Sequence, residues 1–160
     1  MLKSPRIFTN AKTIIETIEY GNKINHAWTW KQNKPVEDPK NFFFGSIQDY
    51  IVTIYNTEND NLLPYMRQIS ETVLKYVPNH VESLSNVALT WMIAGDFDKA
   101  LPYLLKAESV NPKDIIVLNN IAECYKRQND KAKAKTYYEK VIKYGSKEEA
   151  EDARQKLKEL

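Results

Sequence analysis

Few side chains in this sequence are equipped for chemistry, and their spacing limits what they can do. The single cysteine, Cys124, has no histidine near it and no pattern that would hold a thiolate. It reads as a small buried hydrophobe rather than a nucleophile. The two histidines, His26 and His80, stand far apart with no metal-ligand spacing around either, so turn or capping duty is their expected role. The carboxylates of the EEAED run at 148–152 read as helix-surface charges, with no neighbour that would set one up as an acid and another as a base. No Gly-rich phosphate loop, HExxH, GxSxG or EF-hand loop occurs. The expectation is a chain without catalytic residues, metal or cofactor.

Stacking is the second chemistry on offer. Trp28, Trp30, Phe42, Phe43, Phe44, Tyr50 and Tyr55 crowd one stretch of the N-terminal third. Such rings bind sugars, proline-rich peptides or bases, and they also plug the open end of a helical array. Trp28 and Trp30 lie two apart in a segment with Pro35, Pro39 and no helical period, a spacing that fits either use.

Composition narrows the classes. At 160 residues, 42% hydrophobic and 28% charged, the chain is long and apolar enough for a proper core. Only 4 glycines disfavour a barrel or sandwich with many tight hairpins. A net charge of +2 is too small to point to nucleic acid. The late lysines, Lys131, Lys133, Lys135, Lys140 and Lys143, alternate with other residues as a solvated helix face does. No apolar run reaches a membrane span, and the N-terminus lacks the apolar stretch of a secretory signal. As written the chain is expected in the cytoplasm, or in the periplasm or outside the cell if a signal peptide has been trimmed.

The elements that must position these residues are helices. Ile14, Ile15 and Ile18 share a stripe over roughly 10–23. An irregular aromatic segment follows over 26–45. Ser46 and Asp49 then resemble a cap before Ile47, Tyr50, Ile51, Ile54 and Tyr55. A helix over roughly 61–76 tolerates Pro64 in its first turn and buries Met66, Ile69, Val73 and Tyr76. Two close pairs come next, 80–94 with 97–110 and 114–128 with 131–144, the second helix of each capped by Asp96 or Asp130. Ser146 with Glu149 opens a last helix whose apolar stripe is thin: Ala150, Ala153, Leu157 and Leu160.

These pairs repeat 34 residues apart. Pro78 returns as Pro112, Leu84 as Leu118, Asn86 as Asn120, Ala88 as Ala122, Asp96 as Asp130 and Ala100 as Ala134. Trp91 returns as Tyr125 and Tyr103 as Tyr137. A period of this length with helical patterning marks a solenoid unit, which builds a surface rather than a reaction centre. With Leu84, Ala88, Trp91, Gly95, Ala100 and Pro112 in one unit, and Leu118, Ala122, Tyr125, Ala134 and Tyr138 in the next, the chain resembles the tetratricopeptide repeat (TPR) family. The resemblance covers two good repeats at about 81–145 and a degenerate one at about 47–80, where Ile54 and Ser70 depart from the motif.

The resemblance implies an all-α, right-handed superhelix of antiparallel helix pairs over 47–160. Residues 1–46 form an N-terminal helix and aromatic cap, and 146–160 a capping helix, all in one structural domain. It also implies a groove lined by the first helix of each repeat: Glu82, Ser85, Leu89, Met92 and Ile93, then Ile116, Asn119, Glu123, Lys126 and Arg127. Leu89 and Ile93 either face that groove or pack on the preceding helix pair. Ser85 and Leu89 stand where a carboxylate clamp would begin, which disfavours that mode of tail binding. The function expected is non-catalytic protein–protein interaction, with a peptide or helix in the groove. The other reading is a carbohydrate- or peptide-ligand module centred on Trp28 and Trp30. Partner identity and oligomeric state stay open.

Overall fold

In the computed structural model, which describes residues 11–20, 30–31, 34–35 and 39–160 with side chains over 11–20 and 44–160, helices carry nearly all of the regular structure. Residue contacts divide the chain into two units, Met1–Pro78 and Asn79–Leu160.

The first unit holds helix α1 over residues 11–20, with Ala11 and Ile18 buried. Two short strands, β1 (Trp30–Lys31) and β2 (Lys34–Pro35), pair antiparallel, with Trp30 opposite Pro35. Helix α2 runs Pro39–Tyr55, so 39–45 are its opening turns and not part of an irregular connection. Ser46 and Asp49 therefore lie inside the helix. Proline at the first helical position has its φ preset and needs no N–H there, which lets the helix begin before the phenylalanines. The buried stripe is Phe44, Ile47, Ile51 and Ile54, while Tyr55 faces solvent. After a single 3₁₀ turn at Asp60–Leu62, α3 spans Leu63–Tyr76 with Pro64 in its first turn. It buries Met66, Ile69 and Val73, but Tyr76 is exposed in the last turn. Ser70, in the place of an aromatic, is buried and donates to the Met66 carbonyl at 2.9 Å.

The second unit comprises α4 (Val81–Ile93), α5 (Phe97–Val110), α6 (Ile115–Arg127), α7 (Lys131–Tyr144) and α8 (Lys147–Lys158). Each helix packs on the next in sequence. Every start has a named cap. His80 Nδ1 accepts from the Ser83 N–H, Asp114 from Val117, Asp96 from Lys99 and Asp130 from Lys133. Ser146 and Glu149 close a reciprocal capping box on α8.

The 34-residue period reappears as geometry. Gly95 (φ 79°) and Asn129 (φ 61°) both take the left-handed conformation that ends the first helix of a pair. The following N–H of Asp96 or Asp130 then bonds the carbonyl of Trp91 or Tyr125 at 2.9 Å in each case. Lys99 sits 4.5 Å from the Trp91 ring, and Lys133 sits 4.9 Å from the Tyr125 ring. Each lysine also reaches the carboxylate that caps its own helix, at 2.6 and 2.9 Å. The core lies between the pairs. Ala88, Ala100, Ala122 and Ala134 are fully buried, and the close helix approach they permit is filled by Leu84, Leu104, Leu118, Ile121 and Tyr138. Gly145 is required by proximity, since a Cβ there would meet the Val141 carbonyl oxygen at 2.8 Å.

Candidate interaction surface

Helices α4 and α6 are the first members of their pairs, and one stripe of each is committed to the core. On α4 that stripe is Ser83, Leu84, Asn86, Val87, Ala88 and Thr90, and on α6 it is Val117, Leu118, Ile121, Ala122, Cys124 and Tyr125. The ten expected groove residues fall outside it. None is buried, and five stand on each helix. Ile93 and Ile116 remain 42% and 68% exposed, while Leu89 and Met92 are half-buried. Glu82 lies 3.4 Å from His80 Nε2.

Three of the α6 positions, Asn119, Glu123 and Lys126, are already engaged within the unit, which sequence reasoning missed. Lys156 of α8 donates to Asn119 Oδ1 at 3.1 Å and stands 3.9 Å from Glu123 Oε1. Glu159 pairs with Lys126 at 3.0 Å. From α7, the buried Tyr138 donates its hydroxyl to Glu123 Oε1 at 2.6 Å. Burial first, and this bond to a carboxylate second, raise the tyrosine's pKa far above its ordinary value. A signal for this was in the sequence, because Ala153, Lys156 and Glu159 recur at i, i+3 and i+6 and so share a helix face.

Arg127 has a different setting. It lines a surface cleft of about 450 Å³ with Gly95, Asp96, Phe97, Asp98 and Gln128. Its guanidinium sits 5.8 Å from the Phe97 ring, and Gln128 donates to Asp98 at 2.6 Å across the two turns.

The residues that could do chemistry are placed for structure. Cys124 is buried, and burial with the Glu123 charge beside it pushes its thiol up to about 12. At neutral pH it is a protonated small hydrophobe. His80 is a helix cap. Among the described residues no group of three or more His, Cys, Asp or Glu could hold a metal ion. None of the described helices is long and apolar enough to cross a membrane. His26 and Trp28 lie outside the described residues, and Trp30, Phe42 and Phe43 are described in backbone only.

Comparison with known proteins places this arrangement. The Sgt2 TPR domain from Aspergillus fumigatus matches with a TM-score of 0.60 at 19% identity, over 82% of this chain and 86% of that one. The fold is accordingly all-α and TPR-like, built of antiparallel helix pairs. Residues 89–160 match the family model described as regulator of microtubule dynamics protein 1-3. No curated protein matches the chain.

Proposed function

We propose that the chain is a non-catalytic protein–protein interaction module, built from two TPR repeats at about 81–145 and a degenerate one at about 47–80, which takes a peptide or helix on the α4 and α6 surface. The observation that carries this reading is the exposure of large aliphatic side chains at groove positions, Ile93 at 42% and Ile116 at 68%. Helices whose core stripes are already complete gain nothing in stability from such residues. A partner that covers them gains roughly 1.5–3 kcal/mol per fully buried side chain. The α4 side supplies the apolar anchors Leu89, Met92 and Ile93, and the α6 side adds Ile116 and the polar Asn119, Glu123, Lys126 and Arg127, a division that suits an amphipathic ligand.

The match of 89–160 to a family named for regulating microtubule dynamics makes cytoskeletal proteins the first partners to test. Met92→Glu and Ile116→Glu chains would be compared with wild type in co-sedimentation with microtubules and in capture from lysate. Loss of the same partner in both variants, with an unchanged circular dichroism melt, supports the reading. Capture that survives both substitutions rejects it.

A further inference from the structure

Helix α8 is attached in an unusual way for the unit it belongs to. Eight of its twelve residues are charged, and only Ala150 and Ala153 are buried. Two alanines bury little apolar surface, so much of the specificity of its seat is polar. That polar part is directed at α6: Lys156 on Asn119 and Glu123, and Glu159 on Lys126. Lys156 is further held by Asp152 at 2.9 Å on its own helix. These pairs are partly solvated, which leaves them weak and open to screening by salt. Helices α4 to α7 are instead anchored by buried Leu84, Leu104, Leu118, Ile121 and Tyr138. Opening α8 is therefore among the least costly openings of the unit. It uncovers Asn119, Glu123 and Lys126 together. The capping box, with Glu148 and Glu149 in the first turn and Lys156 and Lys158 in the last, favours the helical form of α8 in its own right.

We infer that α8 is a displaceable occupant of the α6 surface, and that the partner replacing it is an amphipathic helix of the same pattern: two small apolar residues three apart, a lysine three further on, and a glutamate three beyond that. The inference rests on the groove reading above and names the partner class for its α6 half. Asn119 and Glu123 recognise the lysine and Lys126 the glutamate, so both charges of the incoming helix find partners that α8 has released.

The test uses the full chain and a fluorescently labelled synthetic peptide of residues 145–160 as the incoming helix. A Lys156→Gln/Glu159→Gln chain has its internal helix loosened and its α6 surface intact. It is expected to bind the peptide about tenfold more tightly than wild type does, as the loss of one charged hydrogen bond and two partly solvated ion pairs from the competing helix implies. Adding Lys126→Glu to that chain should remove the gain, and a Glu159→Lys peptide should restore it. Hydrogen exchange, read without peptide, should show α8 amides opening before those of α6 and α7, and faster as salt rises. Equal peptide binding by the loosened and wild-type chains, or α8 amides that exchange at the rate of α6 and α7 at every salt concentration, overturns the inference. Because exchange needs no partner, a stable α8 beside groove variants that still lose their partner rejects this step alone.

Discussion

Tyr138 shows how a single side chain joins core to surface. Its ring is fully buried while its hydroxyl reaches Glu123 Oε1 at 2.6 Å. Tyr138→Phe keeps the packing and removes a hydrogen bond to a charged acceptor, so a loss of about 1.5 kcal/mol is expected in chemical denaturation. Tyr137 is built on the same plan, donating to Glu108 at 2.8 Å beneath Lys140, which pairs with that glutamate at 2.6 Å. Cys124 tests burial directly. Its folded-state thiol is raised from 9.0 to about 12, so its contribution to stability is complete below pH 9.0 and is lost as pH climbs toward 12. At pH 8 the native chain should resist an aromatic disulfide reagent, and denaturant should release one reactive thiol. Rapid labelling of the native chain would contradict the buried placement.

At the scale of the element, the repeated unit is a helix pair closed by a left-handed residue and a carboxylate cap. Asp96 and Asp130 are held below the ordinary 3.8 chiefly by hydrogen bonds from Lys99 and Lys133, and Glu149 below 4.5 by the Ser146 backbone N–H. A carboxyl depressed in the folded state stabilises it above the ordinary value and stops doing so as pH falls through the folded value. The melting temperature should thus be level from pH 7 to about 5 and drop below about 4. Asp96→Asn/Asp130→Asn should flatten that acid limb, because the amide still caps and no longer titrates. An unchanged limb would move its cause elsewhere. The alanines at the pair contacts permit a sharper test. Ala122→Leu forces extra carbons between α6 and its neighbours and should cost about 1–3 kcal/mol in a urea melt.

Over the molecule as a whole, two units differ in how plainly their sequence declares them. In the second, caps, turns and core alanines all follow the 34-residue spacing, and local preference agrees with the packed result. In the first, Ile54 is buried at a position where the repeat calls for a small residue. Ser70 fills an aromatic's place and turns its hydroxyl back onto its own helix. Salt acts at this scale too. The Lys126–Glu159 and Lys156–Glu123 pairs are partly solvated. Raising sodium chloride from 0.05 to 0.5 M should therefore quicken α8 exchange more than α6 exchange; a uniform response would indicate one cooperative unit.

By itself the sequence determined the helices of the two good repeats, the caps at Asp96, Asp130 and Ser146, and the burial of Cys124, Ala88, Ala122 and Tyr138, because these depend on local spacing and on near neighbours along the chain. It set ten residues of α4 and α6 as groove candidates and left Leu89 and Ile93 open between the groove and the preceding helix pair; none of the ten is buried. It misjudged the start of α2, where a cap-like pair at Ser46 and Asp49 lies within a helix that Pro39 had already begun. Only the tertiary structure decided that Asn119, Glu123 and Lys126 are met by α8, since those contacts join residues more than thirty positions apart, as from Asn119 to Lys156. A helix face read from sequence shows which residues point outward. Whether they meet solvent or another helix is settled by how the elements pack.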